Sequence, residues 1–141
     1  MNSVSKIDVW SACIDDKPGG LVAAIEDLEL RGSLDLEFLL AERPAGQAGK
    51  ENILLFPVGG ERQQAIAQRA GLVRNDNVYY VRVTGTNEPG IAYRQLRALA
   101  DHGLNLRTVS TAAIRNDYVM YVAFDTAEDA NTAAKILLSP T

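Results

Sequence analysis

The stretch "NEPGIAYRQLRALADHGLNL", Asn87–Leu106, opens on a Pro-Gly pair and closes on a glycine. An earlier stretch, "DDKPGGLVAAIEDLELRGSLDL", Asp15–Leu36, follows nearly the same plan. Pro18-Gly19 and Pro89-Gly90 stand 71 residues apart. The same offset pairs Ile25 with Leu96, Leu28 with Leu99 and Gly32 with Gly103. After these glycines the first copy carries one extra residue, Ser33, and Leu34-Asp35-Leu36 then matches Leu104-Asn105-Leu106. A repeat of this period means that one supersecondary unit is written twice.

Each copy reads as strand, helix, strand, strand, helix. In the first, residues 7–14 have strand composition. Residues 19–32 are helical, with Leu21, Ala24, Ile25 and Leu28 on one face. Strands at 34–42 and 53–58 flank a Gly- and Pro-rich hairpin loop, and a short helix covers 61–71 after the helix-start glycines Gly59-Gly60. The second copy gives strand 77–85, helix 90–102, strands 104–114 and 117–124, and helix 126–137. Asn116-Asp117 marks a tight turn between the last two strands. The units divide as residues 1–74 and 75–141. The expected class is α+β: two ferredoxin-like βαββαβ units in tandem, antiparallel sheets side by side and helices on one face. The second copy shows no last strand after its final helix, so strand 77–85 is expected to close one unit and open the other.

The punctuation has a local reading. Gly32 and Gly103 fall where a helix ends in a left-handed residue, which costs glycine least. Proline is tolerated in a first helical turn, where its missing N–H is not needed. Asp16 and Asn87, two residues earlier, are placed to cap the exposed amides.

Length and charge limit the functions. The 141 residues carry 14 basic and 18 acidic side chains, for a net charge of −4. No basic run offers a surface for nucleic acid. No apolar stretch reaches the roughly 20 residues that span a bilayer, and the start lacks a signal pattern. A single cysteine, Cys13, forms neither an internal disulfide nor a CxxC site. A cytoplasmic protein without membrane or nucleic-acid partners is expected.

The residues resemble the ACT domain family. The features are a strand, then D/N-x-P-G, an amphipathic helix, and Gly-x-N-I/L leading to the second strand. Asn87, Pro89, Gly90, Leu96, Leu99, Gly103, Asn105 and Leu106 fit the pattern closely. Asp16, Pro18, Gly19, Leu28 and Gly32 fit it in the first copy, with Asp35 where Asn is usual. Together the copies span residues 7–137. The resemblance implies a stand-alone tandem ACT protein with regulatory binding of small molecules, often amino acids. It places ligands where the loop before the first helix of one unit faces a neighbouring unit or protomer.

The residues give a partial reason of their own. A helix N-terminus favours an anion such as an amino-acid carboxylate, by roughly 0.3–1 kcal/mol from the dipole alone. Candidate ligand residues are Asp16, Lys17, Pro18, Gly19, Gly20 and Leu21 at the first corner. At the second they are Asn87, Glu88, Pro89, Gly90 and Ile91. Asp16, Asp35, Asn87 and Asn105 offer acceptors for an ammonium group, although Asp35 and Asn105 equally suit holding a turn. The corners differ in charge. Lys17 favours a carboxylate at the first, and Glu88 opposes one at the second unless Arg94 or Arg107 offsets it.

Other residues read as structural. His102, the single histidine, suits a helix end. Cys13 reads as a small core residue, Trp10 as core or interface, and Tyr79, Tyr80, Tyr118 and Tyr121 as sheet packing. RNA-recognition modules share the βαββαβ layout, but their K/R-G-F/Y pattern and basic surface are absent. Copper chaperones share it with a CxxC where this chain has "DDKPGG". Acylphosphatase-like enzymes share it with a phosphate-cradling arginine loop not found here. No acid–base cluster for catalysis assembles from one histidine and scattered carboxylates. The expected function is non-catalytic binding of an amino acid by a homodimer without a cofactor. The competing expectation is a ligand-independent regulatory subunit of a separately encoded enzyme.

Overall fold

The computed structural model describes residues 2–139. Two four-stranded antiparallel sheets, each with two helices, make the expected α+β fold. One unit comprises residues 8–75. Its elements are β2 (Trp10–Asp15), α1 (Gly20–Gly32), β3 (Phe38–Glu42), β4 (Lys50–Phe56), α2 (Gly60–Arg69) and β5 (Val73–Arg74). Its sheet runs in the order β3-β4-β2-β5. The other unit comprises residues 2–7 and 76–139. It holds β1 (Ser3–Ile7), β6 (Tyr79–Thr86), α3 (Ile91–Asp101), β7 (Thr108–Ile114), β8 (Asp117–Phe124) and α4 (Ala127–Leu138). Here the order is β7-β8-β6-β1.

The strand expected at 7–14 is β2, and only its first residue, Ile7, belongs to a separate strand of the other sheet, β1. β1 pairs antiparallel with β6, from Ser3 opposite Thr84 to Ile7 opposite Tyr80. It occupies the position that β5 takes beside β2. The missing last strand of the second copy is thus supplied by the start of the chain, and β6 is not shared between units. The division at 74/75 also shifts, because residues 2–7 lie with 76–139. The sequence hides β1 because it is an edge strand whose core-facing side offers one apolar residue, Val4.

Each unit buries one helix stripe against one sheet face. In residues 8–75, Leu28 of α1 is fully buried with Trp10, Ile53, Leu55, Ile66 and Leu72. Leu21, Ala24 and Ile25 pack around them, which is the stripe expected from the helical spacing. In the other unit Ile91 and Leu99 of α3 meet Val81, Val83, Met120, Val122, Phe124 and Leu137. Gln95 lies between them on the same helical face and is 0% exposed. Among the described residues neither its amide oxygen nor its amide nitrogen has a partner, and the buried Tyr118 hydroxyl is likewise unpaired.

Of the two helix-end glycines, one is as expected and one is not. Gly103 is left-handed, at φ +72°. Gly32 is not: it is the last residue of α1, and the extra residue Ser33 takes the left-handed C-cap at φ 53°. Gly32 is instead a site of close approach, where a Cβ would meet Gln63 and Ile66 of α2 at 3.4 Å. Gln63 donates from Nε2 to the Gly32 carbonyl at 2.6 Å and accepts from the Gly59 amide at 2.8 Å, tying the end of α1 to the start of α2. Cys13 is exposed rather than buried, because it alternates with Trp10, Ala12 and Ile14 and so lies on the sheet face away from the helices.

Candidate functional site

The two Pro-Gly corners are type II β-turns leading into helices. At the first, the Gly20 amide donates to the Lys17 carbonyl at 3.0 Å, and Gly19 stands at φ 78°, ψ −2°. At the second, the Ile91 amide donates to the Glu88 carbonyl at 3.1 Å, with Gly90 at φ 81°, ψ 4°. These are the angles of the third residue of a type II turn, which takes proline before it and glycine in place. Neither helix has a side-chain cap, so the capping expected of Asp16 and Asn87 does not occur. The turn itself supplies the reason: Gly19 and Gly90 occupy the N-cap positions, where no side chain is present to accept. α4 shows the contrast, since Thr126 caps it by accepting from the Asp129 amide at 3.1 Å.

The surroundings of the corners differ. Around the first, the hairpin loop between β3 and β4 braces the chain from outside. Arg43 Nε contacts Asp16 Oδ2 at 2.6 Å, and the Asp16 amide donates to the Gly49 carbonyl at 2.9 Å. Lys50 Nζ donates to Asp15 Oδ1 at 2.7 Å. That hydrogen bond, followed by charge attraction, holds the Asp15 carboxyl below its ordinary value and the Lys50 ammonium above its own. Lys17, Pro18 and Gly19 stay exposed, and a Cβ on Gly19 would meet nothing within 4 Å. Gly20 is buried, and a Cβ there would stand 2.9 Å from the Asp15 carbonyl oxygen. Leu21 turns inward against the core.

The second corner is filled by its own helix. Arg94 donates from Nη1 to the Pro89 carbonyl at 2.9 Å and from Nη2 to Glu88 Oε2 at 3.0 Å. Its Nη1 lies 3.1 Å from where a Cβ of Gly90 would be. Arg94 therefore offsets Glu88, whereas Arg107 pairs with Asp125 at 3.0 Å. The Asn87 amide donates to the Asn116 carbonyl at 2.7 Å. Asn87, Glu88, Pro89 and Gly90 are exposed and Ile91 is buried. Asp35 and Asn105, each in the segment between a unit's first helix and its next strand, are exposed too. His102 closes α3, its Nδ1 2.8 Å from the Ala98 carbonyl.

Two concavities lie elsewhere, on the sheet faces turned away from the helices. One of about 490 Å³ is lined by Thr84, Thr86, Ala112, Ile114, Asp117 and Val119, among others. The other, about 390 Å³, includes Ser11, Cys13, Glu42, Asn52 and Val73. None of the candidate corner residues lines either one. Arg43, Lys50 and Arg94, which decide the electrostatics of the corners, were not singled out as a group by sequence. Only Arg94 carried a signal, lying one helical turn after Gly90.

The architecture matches solved structures along nearly the whole chain. A protein of Bacteroides thetaiotaomicron superposes with TM-score 0.77 at 14% identity, over 94% of this chain and 88% of that one. The ligand-free regulatory subunit of aspartate kinase from Thermus thermophilus gives 0.64 at 13%, over 97% and 94%. The fold is the tandem ACT fold. An aspartate kinase of Clostridium acetobutylicum matches with TM-score 0.57 at 15% identity, over 96% of this chain but 33% of its own length. The tandem ACT fold therefore also occurs as one third of a larger enzyme chain. No family model and no curated protein matches the sequence.

Proposed function

We propose that this chain is a non-catalytic regulatory protein that binds an amino acid at the Lys17–Leu21 corner. The observation that carries the reading is the difference between the corners. Lys17 and the bare Gly19 backbone stand open at the start of α1, while Arg94 and Glu88 satisfy each other at the start of α3. A carboxylate at the first corner meets the positive end of a helix and an ammonium together. Asp16 is engaged by Arg43, and Asp35 lies beyond the far end of the 13-residue α1, roughly 18 Å from the corner, so the acceptor for the ligand's ammonium group has to come from a second copy. An open corner surrounds too little of a small guest, so the reading includes a homodimer whose second copy supplies the remaining wall. Binding regulates only if two arrangements of the protein differ in affinity for the ligand.

Calorimetry with the common amino acids tests this. At least one is expected to bind saturably, and Lys17→Glu is expected to weaken it at least about tenfold, the scale of a lost charge-assisted contact. No binding by any of them, or an affinity indifferent to Lys17→Glu, overturns the site.

A second reading is a subunit that acts on a separately encoded enzyme without a ligand. The match to one third of an aspartate kinase chain favours it, since the same architecture is there joined to a larger protein. Its signature is capture of one enzyme by the tagged chain, with that enzyme's activity altered in the absence of any amino acid.

A further inference from the structure

The duplicated sheets differ at one level of the face that points away from their helices. Asp15 lies opposite Lys50 across β2 and β4, and the two form a direct ion pair. An offset of 71 carries Asp15 to Thr86, and Thr86 lies opposite Asp117 across β6 and β8. The carboxylate has thus moved to the strand that carries lysine in the other unit, and a neutral hydroxyl faces it. Among the described residues, Asp117 has neither a hydrogen bond nor an ion pair from its side chain. Arg115, in the adjoining turn, does not line the concavity beside it.

We propose that the 490 Å³ concavity on this sheet face binds a small primary ammonium compound with a short apolar arm, its nitrogen seated on Asp117. The register puts Thr84, Thr86, Ala112, Ile114, Asp117 and Val119 on one face of three adjacent strands. An ammonium has three N–H donors and no acceptor. Asp117 takes one of them as a charge-assisted bond, and the Thr84 and Thr86 hydroxyls stand on the same face as further acceptors. Ala112, Val119 and Ile114, which is 74% exposed, give the arm an apolar floor. Among the described residues no lysine or arginine lines the site, so an anionic ligand meets no counter-charge from them. Groups of three metal-ligating side chains are absent among the described residues, which favours an organic cation over a divalent metal. The volume lies within the range of roughly 300–1,000 Å³ typical of small-molecule sites. The other unit supplies the precedent: at the same level of its sheet, the Lys50 ammonium already sits on a carboxylate.

The site is separate from the Lys17 corner and does not rest on the amino-acid reading. Its test is an amide-resolved NMR titration of the full chain with n-butylamine near neutral pH, with n-butanol as the uncharged counterpart. Saturable shifts centred on Thr84, Thr86, Asp117 and Val119 are expected with the amine, and markedly weaker ones with the alcohol. Asp117→Asn should raise the amine Kd at least about tenfold. The double variant Thr86→Asp with Asp117→Lys, which rebuilds the ion pair of the other unit, should abolish binding. Lys17→Glu should leave it unchanged, so failure here and failure of the amino-acid reading are separable. Non-saturating shifts, equal binding of the alcohol, or an Asp117→Asn chain that binds as the parent does would overturn the proposal.

Discussion

The two Pro-Gly corners have the same backbone and opposite surroundings. Both place a left-handed glycine at a helix N-cap within a type II turn. Residues 43–50 brace the first from outside through Arg43, Gly49 and Lys50, and the backbone at Gly19 stays open. The second is covered by Arg94 of its own helix, whose counterpart 71 residues earlier is Ala23. A repeated motif therefore specifies the turn but not what the turn presents. The turn depends on glycine and proline, which both copies keep. The presentation depends on long side chains that arrive from other positions, and these differ.

The chain provides its own means of comparing the units. Its one tryptophan, Trp10, lies in residues 8–75, and all five tyrosines lie in residues 76–139. The largest expected effect is from a charge in either core. Leu28 and Leu99 are each 0% exposed. An unpaired carboxylate there costs a large part of a stability on the order of 5–15 kcal/mol. Leu28→Asp should abolish the native Trp10 fluorescence signal, and Leu99→Asp the near-ultraviolet circular dichroism of the tyrosines. A native signal after either change would contradict the burial.

A smaller effect of opposite sign is expected from Gln95→Leu. It removes two buried, unpaired amide atoms, and should stabilise the second unit by about 1–3 kcal/mol. The counterpart of Gln95 is Ala24, so the first unit carries no such cost. A lower urea midpoint for this variant, followed by the tyrosine signal, would mean that the amide has partners in solution.

Gly19→Ala and Gly90→Ala force a Cβ into the left-handed region, for about 1–2 kcal/mol each. Gly90→Ala should cost the more, because Arg94 Nη1 lies 3.1 Å from the added atom and must move. Equal midpoint shifts would remove this distinction between the corners.

The smallest expected effect is the pH response of the Asp15–Lys50 pair. Asp15 has a folded pKa below its ordinary 3.8, so its contribution is present above that value and is lost as pH falls through the lowered one. Lys50 lies above its ordinary 10.5, so its contribution is lost only as pH rises through the raised value. Carboxyl NMR should show Asp15 titrating below 3.8 in the parent chain and returning toward it in Lys50→Ala. An unchanged Asp15 titration would mean that the pair does not persist in solution.

Much of the fold was legible because its signals are local. Helix stripes such as Leu21, Ala24, Ile25 and Leu28 repeat at helical spacing, and the expected strand 117–124 has the same limits as β8. The missed strand, β1, alternates serines with Val4 and Lys6, and its pairing with β6 is far away in the chain. At the site, Lys17 and Glu88 were legible as opposed charges, because they stand beside the turns in sequence. Their consequences were not, since Arg43 reaches Asp16 across a hairpin. The ion pair that Thr86 and Asp117 fail to reproduce becomes visible only once strand register is known.

The most direct measurement is an amide-resolved NMR spectrum of the full chain titrated with an amino acid that binds by calorimetry. Saturable shifts are predicted at Gly19, Gly20 and Leu21, with Gly90 and Ile91 little moved. Shifts centred on Gly90 and Ile91, or shifts that bypass both corners, would contradict the claim that the first corner is the open one.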